Sequence, residues 1–108
     1  MKPINDWLLL LVAIIFEVSG TTSMKLSRGF TRPIPTITMF LFYGVGLILM
    51  NIVLKRIDVG VVYAVWSGLG TVLVVLIGIL WFREPATTLR IVSISLIILG
   101  VIGLNISR

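Results

Sequence analysis

Four long runs of apolar residues, separated by short polar segments, make up most of the chain. These runs cover residues 7–26, 34–54, 59–82 and 87–107. The second and third contain no charged residue, the fourth contains only Arg90, and the first contains Glu17 and Lys25. A helix needs about 20 residues to cross about 30 Å of hydrocarbon. Each run therefore predicts a membrane-spanning helix.

The segments between the runs are typical of short loops at a membrane surface. Pro33, Pro35 and Pro85 lie at the borders, where the missing backbone N–H does the least damage to a helix. Trp7 and Trp81 lie close to run ends, where interfacial aromatic residues are common. We therefore expect an all-α membrane protein, with residues 1–108 forming one four-helix transmembrane domain.

Composition supports this expectation and excludes several other classes of protein. Of 108 residues, 58% are hydrophobic and the mean hydropathy is +1.19, more than a soluble domain this small could bury. Cysteine and histidine are absent, which excludes disulfides and the usual zinc ligand sets, and no nucleophile–base pair suggests an enzyme. We expect no metal, no cofactor and no enzymatic activity.

The net charge of +5 does not indicate nucleic-acid binding. Every lysine and arginine lies at or within a few residues of the end of a run, and such residues anchor to lipid headgroups. The lipid bilayer is therefore the expected partner of the basic residues.

Glu17 is the unusual residue of the first run, because a carboxylate in mid-membrane costs a few kcal/mol, about 2.5–3.5 on the insertion scale. Lys25 is more than two turns away and Arg90 is at the edge of its span, so the sequence offers no partner charge in mid-span. An unpaired acid at this depth indicates a functional site, with proton carriage and cation binding as its expected roles. Residues at helical spacing from Glu17 share its face: Leu10, Ala13, Ile14, Gly20, Thr21 and Met24. We expect the first five of them to contact the substrate.

The third run carries a second group of candidate site residues. Tyr63 and Trp66 are three positions apart, on one face of a helix, and aromatic faces attract cations. Gly68 and Gly70 allow the helix to bend at this level. Tyr43 in the second run can add a hydroxyl group or another ring. These residues predict a cation site in combination with Glu17, although packing alone would also explain an aromatic pair.

Three stretches together resemble the small multidrug resistance transporter family. They are FEVSGTTSMKLSRGFTR at 16–32, YAVWSGLG at 63–70 and LGVIGLN at 99–105. The resemblance covers essentially the whole chain and implies proton-coupled export of cations across the plasma membrane by an antiparallel homodimer. Within that pattern, Glu17 matches the carboxylate that protons and substrate share.

The resemblance also implies roles for other residues. Tyr63 and Trp66 match the aromatic walls of the family's site, and Tyr43 matches a site tyrosine. Gly68 with Gly70 matches the kink of the third helix. Gly100 lies on the fourth helix, through which the family dimerises.

The residues at two positions indicate the branch of the family. Guanidinium exporters typically carry tryptophan three residues after the acid and a serine in the second helix, whereas this chain has Gly20 and Gly46. These glycines indicate the multidrug branch, which exports aromatic and quaternary ammonium cations. Residues 82–85 and 89–92 resemble the guanidinium branch, which remains the alternative, and a homologous partner chain is also compatible with the sequence.

A different class, a passive cation pore or a packing subunit, fits less well. A pore would line one stripe with repeated polar residues, and a packing subunit has no need of an unpaired glutamate.

The distribution of basic residues favours insertion in both orientations. The side with both termini has four: Lys2, Lys55, Arg56 and Arg108. The other side has five: Lys25, Arg28, Arg32, Arg83 and Arg90. Because orientation follows this bias, a difference of one hardly specifies it. Oppositely oriented copies are expected to pair through Ser93, Gly100 and Gly103 of the fourth helix.

Overall fold

The structure, a computed structural model, describes residues 3–107, with side chains from residue 5 onward. This part of the chain contains four helices and no strand: α1 (Pro3–Leu26), α2 (Pro33–Val53), α3 (Val59–Leu80) and α4 (Thr88–Ser107). All four are long and apolar enough to cross a membrane. The prediction of an all-α membrane fold with four transmembrane helices is therefore confirmed. Lys2 and Arg108 lie outside the described residues.

The helix starts follow local sequence signals. Pro33 stands at the first position of α2, where its fixed φ suits a helix and no N–H is needed. Thr87 precedes α4, and its Oγ1 accepts a hydrogen bond from the Arg90 N–H at 3.2 Å. This bond satisfies one of the free N–H groups of the first turn, so α4 begins one residue later than the apolar run.

The end of α3 differs from the expected one, because the helix stops at Leu80 and not at Phe82. The Glu84 N–H bonds to the Gly78 carbonyl at 3.0 Å, which is the acceptor that Phe82 would use in a continuing helix. Arg83 takes a left-handed φ of 56° to make this turn. Trp81 and Phe82 consequently lie in the α3–α4 loop with stacked rings, 5.7 Å between centroids.

The four helices do not contribute equally to the core. Helix α1 packs against both α2 and α3, whereas the main contact of α4 is with α3. The core where α1, α2 and α3 meet contains Leu10, Ile14, Val18, Val53, Val61, Val62 and Val65. On α4, Ile94 is the buried residue among those described. Helices α1, α2 and α3 are called the packed unit below. Glu17 lies on α1, its central helix, and α4 lies largely outside it.

Candidate cation-binding site

Glu17 lies within α1, and a hydroxyl chain orients its carboxylate. Thr21, one turn further along α1, donates a hydrogen bond from Oγ1 to the Glu17 Oε1 at 3.2 Å. The same Thr21 oxygen lies 2.7 Å from the Tyr43 hydroxyl oxygen of α2. Because a threonine hydroxyl has one hydrogen, the Tyr43 hydroxyl is then the donor in the second bond. The chain of donors runs from Tyr43 through Thr21 to the carboxylate.

The other carboxylate oxygen has no partner among the residues that the structure describes. Within this part of the chain, the Glu17 Oε2 is buried and makes no hydrogen bond, and neither ion pair involves Glu17. A Cβ atom built on Gly70 of α3 would lie 2.9 Å from this oxygen, so a glycine there leaves room for the carboxylate. Burying an acceptor without a donor costs free energy, because its hydrogen bonds to water are lost and not replaced. It is suited to a proton or to a cationic ligand.

Two cavities open onto Glu17. The first has a volume of about 280 Å³ and is lined by Glu17, Thr21, Trp66, Ser67, Gly70, Thr71, Val74 and Val75. The second has a volume of about 270 Å³ and is lined by Glu17, Tyr43, Gly46, Leu47 and Trp66. Glu17 and Trp66 line both cavities, so a single chain brings these two side chains to the same place. The binding of a cation between them stays a prediction. The buried Trp66 Nε1 also lacks a hydrogen-bond partner within residues 3–107.

Tyr63 lies beside Trp66 but outside these cavities. The two ring centroids are 6.0 Å apart and the rings are tilted by 49°. Tyr63 is 61% exposed and lines neither cavity. Its position extends the aromatic surface outward from the packed unit, and its contact with substrate stays a prediction.

The two glycines that suggested a wide site have specific packing neighbours. A Cβ atom on Gly20 would lie 2.8 Å from a ring carbon of Tyr43, and one on Gly46 would lie 3.2 Å from the Ala13 carbonyl oxygen. Both therefore allow close approach of α1 and α2, and Gly20 allows the Tyr43 ring to lie across α1. The space at Gly20 is occupied by a site residue in this structure, and the role of Gly20 in substrate contact stays a prediction.

Three other residues on the face of Glu17 belong to the packing core. Leu10, Ala13 and Ile14 are almost completely buried and line neither cavity at Glu17. They hold α1 against its neighbours and thereby set the position of the carboxylate. Met24, further along the same face, is exposed.

Gly68 and Gly70 serve two different contacts of α3. Gly70 faces Glu17, whereas a Cβ atom on Gly68 would lie 2.8 Å from the Val101 Cγ2 of α4. The helix is continuous through both residues. The predicted kink stays a prediction.

The predicted dimer residues lie on the exposed part of α4. Ser93, Gly100 and Gly103 are all exposed, and a Cβ atom on either glycine would meet nothing within 4 Å. This surface is available to a second chain, whose presence stays a prediction.

Sequence reasoning missed an ion pair between a buried acid and an exposed arginine at the opposite end of α1. Asp6 is 2% exposed, and its Oδ1 lies 3.6 Å from the Arg56 NH1 in the α2–α3 loop. The sequence signal for this pair was weak. It consisted of an acid just before the first run and a basic residue in a loop on the same side of the membrane. The pair links the start of α1 to the end of α2, far from Glu17.

With this geometry in place, comparison with known proteins defines the class. The model of the family described as Small Multidrug Resistance protein matches residues 5–97. The chain belongs to the small multidrug resistance family. It is therefore a multi-pass membrane protein, in bacteria of the plasma membrane, and a drug exporter, not an enzyme.

Individual relatives match along nearly the whole chain. The uncharacterized membrane protein YvaE of Bacillus subtilis (strain 168) is 50% identical over 94% of this chain and 85% of its own. The quaternary ammonium compound-resistance protein QacE of Escherichia coli is 41% identical, covering 94% and 93%. The nicotine metabolites export pump subunit NepA of Paenarthrobacter nicotinovorans is 37% identical, covering 97% and 90%.

Proposed function

We propose that this chain is a proton-coupled antiporter for hydrophobic, aromatic and quaternary ammonium cations, and that it works as an antiparallel homodimer. The observation that carries the proposal is the Glu17 carboxylate, which lies among apolar helices with one oxygen oriented by Thr21 and the other unpartnered beside Trp66. A negative group next to an aromatic face is the arrangement that binds an organic cation in a place with little water.

Proton transport and cation transport would be coupled because the proton and the cation bind to the same carboxylate. A proton on Glu17 removes the charge that attracts a cation, and a bound cation stabilises the ionised carboxylate, so the two compete. In a dimer the two Glu17 side chains would titrate as a coupled pair, because like charges close together cannot both ionise easily. If occupancy decides which side the site faces, a proton gradient drives the cation outward.

A second copy of the chain supplies what one copy lacks. The two cavities at Glu17, of about 280 and 270 Å³, both fall below the range of roughly 300–1,000 Å³ that is typical of pockets for drug-sized ligands. Transporters usually enclose a midplane site between two inverted repeats, and this chain has no internal repeat. An antiparallel partner would provide the second half, with the exposed Tyr63 as a further aromatic wall.

The proposed substrates are supported by relatives and by the two glycines of the site. QacE is named for resistance to quaternary ammonium compounds and NepA for export of nicotine metabolites. Gly20 and Gly46 stand where the guanidinium branch has larger side chains. Guanidinium export is the alternative within the family that the experiment must distinguish.

The test is transport in liposomes that contain the purified protein and no other. With an imposed proton gradient, we expect tetraphenylphosphonium to move against the protons and guanidinium to move much less. Movement of tetraphenylphosphonium that ignores the gradient would indicate a passive pore. Strong coupled movement of guanidinium alone would assign the chain to the other branch.

The orientation of the chains can be tested separately, because the chain has no native cysteine. Ser107→Cys at the end of α4 and Ala86→Cys in the α3–α4 loop place single thiols at opposite ends of the same helix. In intact cells, we expect a membrane-impermeant maleimide to label about half of each variant. Labelling of one variant completely and the other hardly at all, with transport intact, would contradict the antiparallel homodimer.

A further inference from the structure

An open groove of about 680 Å³ lies at the end of α1, next to the Glu17 site. The last turns of α1 form about half of its lining, and the α1–α2 loop and Phe82 of the α3–α4 loop form the rest. Thr21 of α1 lines both this groove and a cavity at Glu17. We propose that this groove binds the phosphate of an anionic phospholipid headgroup.

Three basic side chains line the groove without carboxylate partners. Lys25, Arg28 and Arg32 line it, and neither ion pair among the described residues includes any of them. The acid of the neighbouring loop, Glu84, lines an adjacent cavity with Lys25 but pairs with Arg90 at 3.3 Å. The groove therefore keeps a strong positive charge, and guanidinium groups match the geometry of phosphate oxygens.

The backbone of the loop adds a further donor. Arg28, Gly29 and Phe30 have left-handed φ values of 49°, 70° and 67°, so the chain curls tightly beside the basic side chains. The Gly29 N–H makes no hydrogen bond to any described residue, whereas the Phe30 N–H donates to the Ser27 Oγ at 3.3 Å. Gly29 lines the groove, so this N–H lies on a residue that borders the same groove as the basic side chains.

The apolar part of the lining favours a lipid over a free phosphate ion. Met24, Leu26 and Phe82 line the groove together with the basic residues. The Lys25 Nζ lies 6.0 Å from the centroid of the Phe82 ring, so charge and apolar surface are adjacent. The groove lies where α1 ends and α2 begins, at the boundary between hydrocarbon and water. A phosphate diester with attached acyl chains fits both parts of the surface.

The experiment counts bound lipids on the purified protein by native mass spectrometry in a neutral detergent. Phosphatidylglycerol and phosphatidylcholine are titrated separately, and inorganic phosphate is added as a competitor. The double variant Arg28→Gln with Arg32→Gln removes two groove cations. The control, Lys55→Gln with Arg83→Gln, removes the same charge from two exposed residues outside the groove.

We expect phosphatidylglycerol to bind more tightly than phosphatidylcholine, and the groove variant to bind it about 30-fold more weakly, or about 2 kcal/mol for two basic residues. The control variant should retain the affinity of the parent. Equal loss in both variants, or equal binding of the two lipids, would overturn the proposal. Displacement of phosphatidylglycerol by millimolar inorganic phosphate would assign the groove to a free anion.

Discussion

All four helices are apolar enough to cross a membrane, but they differ in how much they pack within the chain. Helices α1, α2 and α3 form a packed unit, whereas α4 is nearly isolated. In α1, 33% of the most apolar stretch is buried within the chain, compared with 6% in α4. Glu17, Trp66 and Tyr43 all come from the packed unit. A Cβ atom built on Gly100 or Gly103 of α4 would meet no neighbouring helix within 4 Å among the described residues. One chain therefore orients the Glu17 carboxylate by itself, and most of the α4 surface is available for contacts outside the chain.

The largest expected effect is at the centre of the packed unit. Glu17→Gln should abolish proton-coupled cation transport, because the amide carries no charge and cannot exchange a proton at neutral pH. The folded state should be as stable as the parent or more so, since a buried charge is removed. Liposome transport and thermal unfolding measure the two properties. Glu84→Gln, which changes an exposed acid, is the control, and coupled transport by Glu17→Gln would contradict the proposed function.

The aromatic wall of the packed unit should have the next largest effect. Trp66→Ala is expected to weaken binding of tetraphenylphosphonium by about 1–2 kcal/mol, the scale of a desolvated cation–π contact. Trp66→Phe keeps an aromatic face and should lose less. Isothermal titration of the purified variants measures this difference. An equal loss of affinity in Trp66→Ala and Trp66→Phe would indicate that Trp66 has only a packing role.

On α4 the expected effect is on assembly and not on the fold of the chain. Gly100→Leu adds a side chain where the chain itself has open space, so the monomer should fold normally. Dimerisation should weaken by more than tenfold, or about 1.4 kcal/mol, because small residues allow close contact between membrane helices. Gly44→Leu on α2 is the matched control, since it also has open space. Energy-transfer measurements between labelled chains in liposomes would detect the change, and a larger loss for Gly44→Leu would move the interface to α2.

The ion pair at the start of α1 should contribute to the stability of the packed unit alone. Arg56→Gln leaves the buried Asp6 carboxylate without its cation, and we expect the free energy of unfolding to fall by about 1 kcal/mol. This is less than for a fully buried pair, because Arg56 is partly exposed. Lys55→Gln, the neighbouring exposed residue, should change nothing measurable. Equal stability of the two variants in reversible unfolding would show that the pair contributes no net free energy.

The smallest effect concerns the contact between Gly20 and Tyr43. Gly20→Ala should push the Tyr43 ring away from α1, break the bond to Thr21 and reduce substrate affinity by less than about 1 kcal/mol. In the Tyr43→Ala background, the same change should have almost no effect, because the clash is gone. A double-mutant cycle measures this coupling. Additive losses would show that Gly20 acts independently of Tyr43.

The number of helices could be predicted from the sequence alone, and Glu17 could be singled out as the candidate site residue. Length and apolarity are local properties, so four runs of about 20 residues specify four spans without knowledge of their packing. Glu17 is identifiable in the same way, because its cost depends on the hydrocarbon around it. The contact of Tyr63 with Trp66 also follows from their spacing on one helix, and the structure has their rings together.

Contacts between residues of different helices became visible in the folded chain and could not be predicted from the sequence. The bond between Thr21 and Tyr43, the position of Gly70 against Glu17 and the pairing of Asp6 with Arg56 all depend on the approach of two elements far apart in sequence. The exposure of α4 is the clearest case. A helix that faces lipid and a helix that faces protein are both apolar, because hydrocarbon and the protein interior make the same demand on side chains. Hydropathy therefore cannot distinguish them, and only the packing shows that α4 faces outward.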